Sequence, residues 1–137
     1  MRRSKSEIYL HIVWSTRNRE PLINSEIERI VHRCIEDQSR TLGCEVIALN
    51  GMPDHVHLLA KLPASLSASQ LVKQVKGVSS HLVNEEFRQF VHFAWQEGFA
   101  VYSISRNQLA MIVEYIKRQK ERHSCGKTWD SLEESDG

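Results

Sequence analysis

The sequence predicts an α+β domain, on three observations. Short apolar runs of strand character alternate with longer stretches whose apolar residues recur at helical spacing. One pair of runs is joined by turn-forming residues suited to an antiparallel hairpin. The length of 137 residues provides for one core but not for two ordinary domains.

The elements follow in chain order. Residues 8–15, IYLHIVWS, are rich in β-branched and aromatic side chains and stop before the polar TRNREP segment, so they read as a strand. Residues 25–42 place Ile27, Ile30, Val31, Cys34, Ile35 and Leu42 at mostly helical spacing, with Asn24 or Ser25 as N-cap and Gly43 just past the end. Glu45 to Leu49 and His55 to Leu62 are two strands joined by Asn50-Gly51-Met52-Pro53-Asp54. From Ser67, residues Leu71, Val72, Val75, Val78, Leu82 and Val83 mark a second helix, weakened by Gly77 by up to about 1 kcal/mol relative to alanine. Phe93 to Ile104 holds two short runs split at Gly98, a strand or bent hairpin. A last helix runs from about Arg106 to His123, its buried face carrying Leu109, Ile112, Val113 and Ile116. A βαββαβ order with a further helix fits a split-βαβ, ferredoxin-like antiparallel sheet. Its helices cover one face and leave the other for a site.

Composition fits a globular domain: 41% of residues are apolar, 26% are charged, and glycine and proline together take nine positions. The net charge of +1 averages two unlike parts, because residues 1–123 carry 17 basic against 13 acidic side chains. Residues 1–123 therefore form one mildly basic domain, and 124–137 an acidic tail expected to be flexible. The three cysteines, Cys34, Cys44 and Cys125, form no CxxC pair and suggest neither a disulfide framework nor a cysteine-rich zinc site. A reducing cytoplasm is expected, with neither signal peptide nor membrane span.

In the third strand, period two places Val56, Leu58, Ala60 and Leu62 on one face and His55, His57 and Leu59 on the other. Residues two apart are separated by about 7 Å, so two imidazoles can converge on one divalent ion. Asp54 is placed to orient a histidine from outside the ligand set, or to complete the turn. On the last helix Tyr115 and Gln119 stand at i and i+4, on the flank of the apolar stripe. Two imidazoles and an amide oxygen can hold Mg²⁺ or Mn²⁺ with positions left open, beside a phenol able to act as nucleophile on a phosphodiester. Between residues 106 and 127, Arg106, Lys117, Arg118, Lys120, Arg122 and Lys127 outnumber Glu114 and Glu121, and Lys73 and Lys76 add charge from the second helix. These cations are expected to hold DNA phosphates, although a basic helix can be only a solvated face. Trp14, Trp95 and Phe99 could stack on unpaired bases or belong to the core.

The sequence resembles the single-tyrosine HUH transposases of small insertion sequences, including the REP-associated tyrosine transposases. The resemblance lies in HIVWSTRNREPLI, NGMPDHVHLLAKL, QLVKQVKGVSS, FAWQEGFAVYSIS and VEYIKRQKERH, which span most of residues 8–123 in order. Its HUH element is His55-Val56-His57, and its YIxxQ element runs from Tyr115 to Gln119. The resemblance implies a ferredoxin-like catalytic domain that cuts single-stranded DNA at hairpin-bearing element ends. It implies a 5′-phosphotyrosine and rejoining of strands with Mg²⁺ or Mn²⁺. It assigns His55, His57 and Gln119 to the metal and Tyr115 to the attack, with a homodimer expected. Tyr9 and Tyr102 stand as other phenols near the site. Two other classes stay open: a domesticated module that binds hairpin DNA or RNA without cutting it, and a metal-dependent hydrolase.

Overall fold

A computed structural model describes residues 5–120. Arg122, the end of the last predicted helix and the acidic tail from 124 to 137 lie outside the described residues. Four strands form one antiparallel sheet: β1 (Ile8–Ser15), β2 (Glu45–Met52), β3 (His55–Leu62) and β4 (Ala100–Ile104). They lie in the order β2-β3-β1-β4. Three α-helices accompany them: α1 (Ser25–Thr41), α2 (Ala68–Phe87) and α3 (Leu109–Lys117). The α+β class and the split-βαβ arrangement stand as expected, and a helix follows the sheet at the C-terminal end.

Helix α1 starts where Asn24 Oδ1 accepts the Ile27 amide at 2.9 Å and ends before Gly43, whose φ of +91° suits glycine. Helix α2 starts in a capping box, Ser67 and Gln70 each bonding the other's backbone N–H. The two helices bury their inner faces against Ile12, Trp14, Val56, Leu58, Ala60 and Leu62, the main core. The α2 face differs from the predicted stripe. Ser79 is buried there and Leu82 is 43% exposed, because Ser79 Oγ accepts Trp95 Nε1–H at 2.9 Å and donates to Val75 O at 2.6 Å.

The β2–β3 hairpin corrects the expected five-residue turn. Pairing continues to Met52 opposite His55, leaving a two-residue turn of Pro53 and Asp54. Glycine is required at position 51, where a Cβ would lie 2.6 Å from His55 O. A register shift between Val46 and Ala48 turns Ile47 and Ala48 toward α3, while Val46 and Leu49 pack with the main core.

The 93–104 segment yields a shorter strand than the two apolar runs suggested. Phe93 is clamped by Asn84 through both its N–H and its C=O, and Trp95 bridges to Thr16. Only Ala100–Ile104 pairs as a strand, against β1. Trp14 and Trp95 meet edge to face at 6.1 Å inside the main core, which makes them packing residues rather than base-stacking ones.

The second sheet face is not open, contrary to the expectation of helices on one face. Helix α3 lies on it, packing Ile112, Tyr115 and Ile116 against Ala48 and Leu59. One short 3₁₀ turn, Arg106–Gln108, leads into α3, and the α-helix stops at Lys117 with Arg118 as its cap. Among the described residues, no helix is long and apolar enough to cross a membrane.

Candidate active site

Strand alternation delivers the paired histidines as the sequence suggests. Val56 and Leu58 enter the main core, and His55 and His57 emerge together on the α3 side, their rings 5.2 Å apart. Both are buried, at 1% and 0% exposure. Each is fixed through Nδ1. His55 Nδ1 lies 2.7 Å from Asp54 Oδ1, and Asp54 Oδ2 accepts Arg19 Nε–H at 3.1 Å. Burial would raise the Asp54 carboxyl, but the hydrogen bonds and charges of His55 and Arg19 outweigh it and hold the group at about 2. Asp54 therefore both closes the turn and orients a histidine.

His57 Nδ1 lies 2.9 Å from Nε2 of His11, a residue that the sequence reading did not single out. His11 is wholly buried on β1, and burial first, then His57, push its pKa down to about 3, so the ring is neutral at ordinary pH. In the sheet register Val13 faces His57 and His11 faces Tyr102. His11 is thus a diagonal neighbour of His57, within imidazole reach on the same face. The signal for it was an imidazole inside a strand whose other face, Leu10, Ile12 and Trp14, is apolar.

Arg19 was also passed over. It follows Asn18 in left-handed backbone, φ +56° after +55°. Such conformations cost about 1 kcal/mol or more for residues with a Cβ. The bend is held by Arg19 N–H to Thr16 O, Asn18 N–H to Gln96 Oε1 and Thr16 Oγ1 to Glu20 O. It delivers the guanidinium to Asp54.

From the other side, Ile112, Tyr115 and Ile116 of α3 and Gln119 just beyond its cap are buried at the spacing of a single stripe. Tyr115 and Gln119 therefore stand in the buried face, not on its flank. The Tyr115 ring meets His57 edge-on at 5.7 Å and His11 at 6.2 Å. Gln119, 1% exposed, donates from Nε2 to Tyr115 O at 3.1 Å. Its Oε1 is buried with no hydrogen-bond partner among the described residues. Tyr102 lies on the same sheet face, 5.9 Å from His11. Tyr9 reaches Glu7 at 3.5 Å.

Two imidazoles engaged at Nδ1 and one amide oxygen shut away from water are donor types that a divalent cation accepts. A bare buried acceptor costs about 1–3 kcal/mol unless it finds a partner, and a cation is one. Among the described residues there is no cluster of three His, Cys, Asp or Glu able to hold a metal.

Among the described residues, the cations named from the sequence do not form one cluster. The sheet separates α2 from α3, so Lys73 and Lys76 stand apart from Tyr115. They line a cleft of about 770 Å³ with Arg17 and Phe99, where Lys76 Nζ donates to Gln96 O and Gly98 O at 2.7 Å. On the tyrosine side Lys117 is exposed, Arg118 pairs with Glu114 at 3.4 Å, and Arg106 pairs with Glu7 at 3.4 Å. Lys120 is tied to Glu28, Asn50 and Gly51 at 2.7–2.9 Å.

The chain is similar to known proteins in sequence and in fold. A family model described as transposase IS200-like matches residues 4–119. The chain is 25% identical over 130 residues to the ISDra2 transposase TnpA of Deinococcus radiodurans, covering 89% of this chain and 93% of that protein. It is 27% identical over 126 residues to the transposase for insertion sequence element IS200 of Salmonella typhimurium, covering 85% and 80%. A crystal structure of a candidate transposase from Deinococcus radiodurans matches with a TM-score of 0.67 at 25% identity, over 87% of this chain and 98% of that one. A REP-associated tyrosine transposase bound to a REP hairpin matches in fold with a TM-score of 0.68 at 20% identity, over 90% and 73%.

Proposed function

Because the chain belongs to the family of IS200-like transposases, we propose that it cleaves and rejoins single-stranded DNA through a covalent tyrosine intermediate, at element ends that carry hairpins. The observation that supports this reading best is the position of Tyr115, 5.7 Å from His57 in a stripe that continues to Gln119. The phenol oxygen attacks the scissile phosphorus; one P–O bond forms to Tyr115 and the bond to the 3′-oxygen breaks. The phenol proton passes to solvent and the departing 3′-oxygen takes one up. Attack by a 3′-hydroxyl on the phosphotyrosine reverses the step, so strands rejoin with no bond lost to water. Mg²⁺ or Mn²⁺, held by His55, His57 and Gln119, would supply Lewis-acid polarisation of the phosphate. Asp54 and Arg19 keep His55 in place, Arg118 and Arg106 can exchange their surface carboxylates for phosphates, and exposed Lys117 adds a further cation. Arg122 belongs to the same expectation, as does a REP-like hairpin, the ligand of one fold relative.

Tyr115 is 3% exposed and Gln119 1%, so a phosphodiester enters only when α3 shifts off the sheet. The bonds from Asn50 to the end of α3, and from Lys120 just beyond it to Gly51, set how readily that happens.

The test is incubation with Mn²⁺ and labelled single strands carrying the hairpins that flank the gene. A protein–DNA adduct that survives denaturation is expected; Tyr115→Phe should lose it and Tyr102→Phe retain it. An adduct persisting in Tyr115→Phe overturns the nucleophile. Cleavage without an adduct indicates a hydrolase, and binding without cleavage a recognition module.

A further inference from the structure

We infer that His11 is a positioning residue, fixing the ring and tautomer of His57 so that the His57 lone pair sits at Nε2. The inference rests on the metal-dependent reading above and extends it to a residue outside the ligand set. His55 and His57 are held at the same ring atom by different chemistry. A carboxylate engages His55 Nδ1 at 2.7 Å, whereas a second imidazole engages His57 Nδ1 at 2.9 Å. Two ring nitrogens this close share one proton: two protons would collide, and none would leave two lone pairs face to face. The proton therefore belongs either to His11 Nε2 or to His57 Nδ1. Only the second leaves Nε2 of His57 as a lone pair, the form a metal requires. His11 then accepts at Nε2 and carries its own proton at Nδ1.

The surroundings of His11 hold its ring against His57. It is wholly buried, with Tyr102 at 5.9 Å across the strand pair and Tyr115 at 6.2 Å from α3. The β1–β3 register sets it diagonally to His57, and the two rings lie edge to edge, their centroids 5.2 Å apart with 28° between their planes. His57 thereby obtains an orienting partner from the neighbouring strand, while His55 at the strand end uses the turn aspartate.

Long-range proton–nitrogen NMR of the metal-free protein at pH 8 reads the tautomers directly. His57 is expected to be protonated at Nδ1. His11→Gln places an amide oxygen near the lost Nε2 and should preserve that form, whereas His11→Phe should shift His57 toward protonation at Nε2. Titration with Mn²⁺ alone should then show binding weakened about 10–100-fold in His11→Phe, the size usual for loss of an outer partner, and recovered to within about threefold in His11→Gln. A His57 protonated at Nε2 in the wild type, or a tautomer and Mn²⁺ affinity unchanged in His11→Phe, overturns the inference. The wild-type spectrum decides the proton's position even if His11→Phe does not fold. Should the tautomers be as expected while Mn²⁺ binds neither wild type nor variant, the metal reading falls and the anchoring of His57 by His11 stands.

Discussion

Cys34 lies on the inner face of α1, 4% exposed, and burial, then the charge of Asp37, push its thiol up to about 11. Cys44 is buried and raised in the same way. Thiolates, not thiols, react with disulfide reagents, so at most one of the three cysteines should react with DTNB within minutes at pH 8, and all three after unfolding. Linkage gives the sign of the pH effect. An unfolded thiol ionises near about 8.5, while folded Cys34 keeps its proton to about 11. Stability from this group is therefore complete below pH 8.5 and is lost as pH rises toward 11. The urea midpoint should fall from pH 8 to pH 10 by more in the wild type than in Cys34→Val; equal falls would refute the assignment. Other single residues were less legible than this buried thiol. His55, His57 and Asp54 were readable because strand period and turn chemistry are local. His11 was not, because its meaning comes from a diagonal contact set by the β1–β3 register, which no local pattern encodes.

Helix α3 is short, and its last carbonyls lack partners within the helix. Asn50 supplies them, donating from Nδ2 to Ile116 O at 3.1 Å and Lys117 O at 3.3 Å while its Oδ1 accepts Lys120 Nζ. Asn50→Ala should cost about 1 kcal/mol of stability. It should also speed hydrogen exchange in α3 while leaving the α1 amides unchanged; α3 protection equal to that of the wild type would show that Asn50 does not hold the helix. The elements themselves were legible where local rules agree. Strands β1 and β3 run over the predicted residues, and the caps Asn24 and Ser67 start their helices. The Phe93–Ile104 segment was not, because FAW is apolar for a tertiary reason. Phe93 and Trp95 fill the core beside α2, held by Asn84 and Ser79, and only the second run finds a strand partner. The α3 face was misjudged for a related reason: a tyrosine and a glutamine count as surface by type, yet the imidazole side of the sheet gives them a polar place to be buried.

At the scale of the whole molecule, the sheet divides two jobs. Helices α1 and α2 close the main core, and α3 carries the tyrosine over the histidine face. Strand transfer joins two DNA ends, whereas one chain of 15.9 kDa offers one Tyr115 and one histidine pair. A dimer is therefore expected, and light scattering should give about twice the chain mass. With α3 docked on its own sheet as it is here, the second copy is expected to bring a second end rather than complete the first site. Tyr115 meets its own His57, and Lys120 binds Glu28, Asn50 and Gly51 of the same chain. A site that keeps this docking is built from one chain. Mixing Tyr115→Phe with His57→Ala subunits tests this. In the mixed dimer one chain lacks the nucleophile and the other lacks a ligand, so no covalent adduct should form above the level of either variant alone. An adduct appearing only on mixing would mean that α3 leaves its own sheet to serve the partner, with the Asn50 and Lys120 contacts broken in the active form.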